Sequence, residues 1–294
     1  MATVSHQLEY AGFAMVRSLF EGMSLDRGTS VAAAIARPLA PALRARALFN
    51  LGLAMPELSD GDHRRIMTGM VDHLTRISVE YLHLAELRDT RDRIATTGIE
   101  HLEAARSAGR GALLVSGHLG NWEAVRCACA RLDWPPAIIY RRFNTEKIDD
   151  EAQRRMRVLD APIFHKGKRG TLGMLRHIRK GGAVMILSDQ RFSGAPSIPF
   201  FGVPAKTALA PAEIAQAYGT ALLPVRGIRR GRTSAFDVTI DAPLSVDSHD
   251  SAPFDTMREI NNRLESWIRQ TPEQYFWLHN RWGSKNLAPA RINM

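Results

Sequence analysis

The residues best equipped for chemistry in this 294-residue chain stand together in Ser116-Gly117-His118-Leu119-Gly120-Asn121-Trp122-Glu123. In a continuous helix, His118 and Glu123 would diverge around the axis, because only residues three or four apart face one another. With His118 ending a strand, Gly120 turning the chain and Asn121 capping the next helix, the two side chains can meet. A carboxylate that accepts from one imidazole nitrogen fixes the tautomer, leaving the other nitrogen to take a proton from an attacking hydroxyl. First-turn amides of the following helix would add positive potential for a developing oxyanion. No Gly-x-Ser-x-Gly, His-Glu-x-x-His or Cys-x-x-Cys pattern accompanies them. Direct attack by a hydroxyl, with neither a covalent enzyme intermediate nor a metal, is the chemistry these residues best support.

Positioning such a group requires strands that end where the chemistry begins. Gly111 to Ser116, Ala137 to Tyr140, Ala183 to Ser188 and Ala221 to Val225 are short apolar runs that read as buried strands. Between them, Asn121 to Leu132, Glu146 to Leu159, Thr171 to Lys180 and Leu209 to Tyr218 read as amphipathic helices, with Ile99 to Ser107 before and Phe254 to Ile268 after. This alternation predicts an α/β fold with a central, mostly parallel mixed sheet flanked by helices. Phe236 to Ile240 alternates and precedes Pro243, so it is expected as an antiparallel or edge strand. Ligands of such sheets bind outside the carboxyl ends of the strands. That rule selects Gly117 to Glu123, Arg141 to Asn144, and Asp189 with Gln190.

The first third reads differently. From Ser5 to Met23, Leu8, Met15, Val16, Leu19, Phe20 and Met23 recur at helical spacing, interrupted by Glu9, Arg17 and Glu21. About 20 uninterrupted apolar residues are needed to span a bilayer, so this helix is amphipathic and suited to a lipid interface. Further helices are expected over Ser30 to Ala36, from Ala42 to Leu53 between Pro41 and Pro56, and after a Ser59 cap through Met67, Met70, Leu74, Ile77 and Tyr81. The division expected is a helical, membrane-associating region over 1–95 and a catalytic α/β core over 96–294.

Composition sets the outer limits. With 45% apolar and 23% charged residues the chain is ordinary globular protein, not a disordered, collagenous or polytopic membrane chain. Lys plus Arg exceed Asp plus Glu by 39 to 30, a net +9, which favours anionic partners. Between Arg141 and Lys180 alone, 12 basic residues face 5 acidic ones, a surplus of +7. No helix-turn-helix, zinc-finger or aromatic-plus-basic RNA motif is present, which argues against nucleic acid. Cys127 and Cys129 lie two apart on a predicted helix and point to different faces, so buried free thiols in a reducing cytoplasm are expected. No secretion signal is read at the start of the chain.

The string His118 to Glu123 (HLGNWE) resembles the His-x4-Asp/Glu signature of the glycerolipid acyltransferase superfamily. Its flanks narrow the similarity to the lipid A biosynthesis lauroyl/myristoyl acyltransferases. The matching segments are Tyr140 to Asn144 (YRRFN), Ser188 to Gln190 (SDQ), Ile198 to Lys206 (IPFFGVPAK) and Pro272 to Trp282 (PEQYFWLHNRW), with weaker similarity over Asn50 to Pro56 and at Glu80. They span about Gly111 to Trp282.

The resemblance implies transfer of a fatty acyl group from acyl carrier protein to a hydroxyl of an acylated, phosphorylated glucosamine disaccharide. This is a secondary, late acylation in lipopolysaccharide biosynthesis, at the cytoplasmic face of the bacterial inner membrane. It implies His118 as general base and Glu123 as its orienting partner. Arg141 and Asn144 are implied to contact substrate or stabilise charge, with Gln190 supporting them. Asp189 is implied as a rival or additional carboxylate, because related mannoside acyltransferases can place a catalytic acid after a later strand. No cofactor is implied beyond acyl carrier protein as donor co-substrate. Partners are that carrier, the lipid A precursor and an anionic membrane surface, held peripherally because the first helix is broken by charges. Acylation of another glycolipid, such as a mannoside, or of a lysophospholipid is the alternative within the same chemistry. A silent lipid- or nucleic-acid-binding module is the alternative outside it. Gln274, Tyr275, Trp277, His279, Arg281 and Trp282 are read as a structural lock.

Overall fold

Helical periodicity fills the first ninety residues, and the structure, a computed structural model, follows it over the described residues 4–38, 44–246 and 251–283. The helices are α1 (Val4–Glu21), α2 (Leu25–Ala36), α3 (Arg44–Ala54), α4 (Asp60–Glu80) and α5 (Leu84–Asp89). Pro41, Ala42 and the side chain of Leu8 lie outside the described residues. Ser59 caps α4 as its position predicts, its hydroxyl accepting from the Asp62 amide at 3.1 Å.

Strands and helices then alternate as β1 (Ile94–Thr97), α6 (Ile99–Ser107), β2 (Ala112–Ser116), α7 (Trp122–Ala130), β3 (Ala137–Tyr140), α8 (Glu146–Met156), β4 (Ile163–His165), α9 (Lys168–Arg179) and β5 (Ala183–Leu187). A hairpin of β6 (Ser197–Phe200) and β7 (Val203–Lys206) leads to α10 (Ala210–Tyr218), β8 (Ala221–Arg229), β9 (Phe236–Ile240) and α11 (Ala252–Gln270). The main sheet has the order β1-β9-β8-β2-β5-β3-β4. Its pairs are parallel except β8 with β9, so it is the mostly parallel mixed sheet expected.

Successive residues of β2 enter different cores, as a pleat with period two requires. Leu113 and Val115 join a cluster with residues of α3, α4, α9, α10 and α11, while Ala112 and Leu114 join one with residues of α5, α6 and α7. Both faces of the sheet are therefore covered, which is why β2, buried throughout, reads as a continuous apolar run. Cys127 and Cys129 are buried in the second cluster as free thiols, and burial pushes both well above the usual thiol range.

β9 is antiparallel to β8, the first of the two placements expected for it, and β1 pairs with it in parallel and takes the outer position. The sequence signal of β1 is faint, since of its four residues only Ile94 is buried.

The turn between β2 and α7 is tightly enclosed. Gly120 has φ +59°, and a Cβ there would lie 2.1 Å from the Gly227 carbonyl oxygen of β8. Asn121 donates its amide to that same oxygen at 2.8 Å, so the chain cannot retreat. Gly120→Ala combines a left-handed residue with a backbone clash, and should lower stability by at least about 2 kcal/mol, read from the midpoint of chemical denaturation.

Candidate active site

His118 owes its partner to strand register. β2 and β5 pair in parallel with Ser116 opposite Leu187. The ladder continues through the Ser188 amide, which donates to the Ser116 carbonyl at 2.8 Å. Two residues beyond Ser116 is His118, and two residues beyond Leu187 is Asp189. The Asp189 carboxylate accepts from the His118 backbone amide at 2.9 Å through one oxygen and meets ring Nδ1 at 2.8 Å through the other. Gly117 leaves room for this approach, since a Cβ there would stand 3.2 Å from the Asp189 carboxyl carbon.

The electrostatics follow from the geometry. Burial opposes charging of the His118 ring, but the Asp189 carboxylate, by its charge and its hydrogen bond, outweighs this and raises the imidazole above its ordinary value. Burial likewise opposes ionisation of Asp189, which is 1% exposed, yet His118 and two hydrogen bonds hold it far below the carboxylate range. An ionised Asp189 must accept from Nδ1, so the neutral ring carries its proton there and leaves Nε2 as an acceptor. Nε2 lies 3.2 Å from the Gln190 side-chain nitrogen, an exposed group that an incoming hydroxyl could displace. Trp122 meets the ring edge-on with centroids 5.5 Å apart, and Phe276 lies at 6.0 Å.

The turn at Gly120 and the Asn121 cap form as the sequence predicts, with Asn121 Oδ1 accepting from the Glu123 amide at 2.9 Å. They do not bring Glu123 to His118. Its carboxylate is buried elsewhere, accepting from Arg126 Nη1 at 2.7 Å and from the Tyr81 hydroxyl at 2.6 Å. Burial and that carboxylate raise the Tyr81 phenol well above its usual range. The side chain that orients His118 in this structure is therefore Asp189, and Glu123 neutralises a fully buried guanidinium under the turn. The helix offers less to an oxyanion than expected, because Asn121 already accepts from the amides of Glu123 and Ala124.

Arg141 and Asn144 are exposed on the loop after β3, on the rim that also carries His118, Asp189 and Gln190. The segment 274–282 packs as a lock. Tyr275, Trp277 and Trp282 are buried, the Phe276 amide donates to the His118 carbonyl at 2.9 Å, and the Gly120 amide donates to the Gln274 carbonyl at 2.9 Å. Arg281 donates to the Lys206 carbonyl and Thr207 Oγ1, both at 2.8 Å, tying the hairpin to this segment.

A second support was not read from the sequence. Glu80, at the end of α4, pairs with Arg229 through both guanidinium nitrogens and accepts from Asn121 Nδ2 at 2.8 Å. Arg229 Nε donates to His73 Nδ1, and His73 Nε2 faces the Gly120 carbonyl, each at 3.2 Å. Burial and the neighbouring Arg229 depress His73 to about 3, so it is neutral and donates from Nε2. The turn that carries His118 is thus held from beneath by α4. Among the described residues no group of three or more His, Cys, Asp or Glu is placed to hold a metal.

An imidazole held by a carboxylate on the carboxyl rim of the sheet, with Nε2 as an acceptor, is equipped to take a proton from a hydroxyl, and comparison with known proteins gives the chain its family. A family model described as bacterial lipid A biosynthesis acyltransferase matches residues 6–284, and the chain belongs to that family. It is 27% identical over 274 residues to the lipid A biosynthesis palmitoleoyltransferase of Escherichia coli (strain K12), covering 90% of this chain and 86% of that one. It is 24% identical over 245 residues to the lauroyltransferase of the same organism, covering 80% and 78%. A phosphatidylinositol mannoside acyltransferase of Mycobacterium tuberculosis is 27% identical over 198 residues, covering 63% of this chain and 58% of its own.

Two outcomes test the geometry. By NMR, the His118 ring should titrate above the usual value near 6.5 and move below it in Asp189→Asn, because burial then acts without the carboxylate. The raised folded value means that the pair stabilises fully at low pH on the histidine side, and that this share fades as pH rises through the His118 titration. Glu123→Ala strands the buried Arg126, and should cost about 3–5 kcal/mol in denaturant unfolding.

Proposed function

We propose that the protein moves a fatty acyl chain from acyl carrier protein to a hydroxyl of a lipid A precursor, as a late, secondary acylation. The observation that carries this reading is the His118–Asp189 pair with Nε2 turned to the rim, in a chain of the lipid A acyltransferase family. The acceptor hydroxyl displaces Gln190 and gives its proton to Nε2 as its oxygen attacks the thioester carbonyl. The tetrahedral intermediate expels the carrier thiolate, to which the imidazolium returns the proton. Asp189 stabilises the imidazolium without itself taking the proton. Arg141 and Asn144 contact substrate, and Glu123 acts through Arg126 as a positioning residue.

Lipid access to the rim is supported by Phe143 and Phe192, which are exposed on the loops after β3 and β5. Among the described residues no helix is long and apolar enough to cross a membrane. Met15, Val16 and Leu19 stand exposed on α1 while Phe20 is buried, so α1 presents an apolar face outward. Peripheral attachment at the cytoplasmic face of the inner membrane is the placement these features support. Because one relative is named for a mannoside acceptor, phosphatidylinositol mannoside is the second acceptor to compare.

Purified protein incubated with acyl carrier proteins of several chain lengths and with tetra- or penta-acylated precursors should yield a product heavier by one acyl chain. His118→Ala should lower kcat by about 10²–10⁴-fold. Asp189→Asn should lower it too and move the acid limb of the rate profile to lower pH, because only the neutral ring acts as base. A rate unaffected by His118→Ala would overturn the mechanism.

A further inference from the structure

β3 and β4 end on the same rim as His118, and their carboxyl ends carry a concentration of positive charge of which the reaction proposed above uses only Arg141. Tyr140, Arg141, Arg142, His165, Lys166 and Arg169 line a concavity of about 570 Å³. Tyr140 and His165 are opposite each other in the β3–β4 register, so the residues that follow them converge. All four cations are exposed. The nearest acid is Asp149, 4.0 Å from Arg142 Nε, and its oxygens are already occupied by the Tyr140 hydroxyl, the Phe143 amide and Gln153. Arg141, Lys166 and Arg169 form no ion pair among the described residues. His165 Nε2 lies 3.2 Å from Arg142 Nη2 and holds that guanidinium over the concavity.

Four like charges around one hollow repel one another, and the first turn of α9 adds to the cost. It carries Lys168 and Arg169 and no acid, where a helix N-terminus favours anions. Such an arrangement is relieved by one multiply charged anion with several acceptor oxygens, and a guanidinium and an ammonium side by side suit a phosphate group. An acidic protein surface would instead match a spread-out basic face. Neighbouring strands lie about 4.8 Å apart, and β3 and β4 are two and three strands from β2, so the hollow lies about 10–15 Å along the rim from His118. That is the reach of a sugar-based acceptor with its hydroxyl at His118.

We propose that this concavity binds a phosphate ester on the sugar of the acceptor lipid and so sets which hydroxyl reaches His118. The proposal rests on the acyltransferase reading above and names the part of the acceptor that the enzyme recognises.

The test compares a phosphorylated disaccharide acceptor with its dephosphorylated counterpart, both in uncharged detergent micelles, using the full-length protein and the double variant Lys166→Gln/Arg169→Gln. Both side chains are exposed, and an unchanged thermal midpoint confirms the fold. The wild-type preference for the phosphorylated acceptor in kcat/KM should shrink by roughly tenfold or more in the variant, through the acceptor KM. Direct calorimetric binding of the phosphorylated disaccharide should weaken by a similar factor. An unchanged preference and affinity would overturn the proposal. So would a loss confined to the KM of the carrier protein, which assigns the charge to the donor. A loss seen only with anionic vesicles would also overturn it, by assigning the charge to membrane headgroups. If the wild type acylates neither acceptor yet binds the phosphorylated one through these two residues, the anion site stands and the acyltransferase reading fails.

Discussion

The parallel pairing of β2 with β5 is the constraint on which the site depends. A parallel ladder keeps a constant offset, and here that offset places whatever lies two residues beyond Ser116 beside whatever lies two residues beyond Leu187. His118 and Asp189 are separated by 71 positions in the chain and yet are as closely linked as neighbours in a turn. The carboxylate holds the backbone of His118 as well as its ring, so the imidazole has little freedom to swing out of line. A slip of one residue between the strands would turn every β2 side chain into the opposite core and separate the pair. The apolar packing of Leu113 and Val115 on one face and Leu114 on the other is what prevents the slip.

The turn beyond His118 is secured by charges that water cannot reach. Glu80 and Arg229 neutralise one another in a nearly dry interior, and their remaining capacity is spent on Asn121, His73, Ser234 and the Thr233 carbonyl. On the other side, Glu123 and Arg126 make a second buried pair that also engages Tyr81 and the Pro136 carbonyl. Buried ion pairs are weak sources of net stability, but they punish any rearrangement that separates them. A turn held between two of them is stiff, and it keeps the His118 ring in place on the rim.

Much of this was legible in the residue order. The apolar runs at β2, β5 and β8 announce strands because both of their faces are covered, β3 is apolar although Ile139 is exposed, and the helices between them show their buried stripes. β1 and β4 were not read, being four and three residues long with few buried side chains, and the β6–β7 hairpin was recognised only as a family segment. His118, Asp189 and Gln190 are each placed on the rim by strand ends, but sequence proximity favours Glu123 as the partner of His118, whereas the structure pairs it with Asp189, the rival carboxylate that the resemblance also implies. Counting positions beyond each strand end carries the true pairing, provided that β2 and β5 are known to be adjacent, and adjacency is a property of topology that local patterns do not encode. The support from α4 was hidden for the same reason, since Glu80 and Arg229 are 149 positions apart.

His73 has an effect that reaches past the turn it props up. Kept neutral by its surroundings down to about pH 3, it refuses a proton that the same residue in an unravelled chain accepts near 6.5. Each unit of acidification across that interval therefore tilts the balance toward the unravelled chain by up to about 1.4 kcal/mol. His118 leans the other way, because its folded environment welcomes the proton. Two imidazoles beside one glycine thus give the molecule opposing acid responses, since His118 takes its proton above the ordinary imidazole value and His73 works against the scaffold below it.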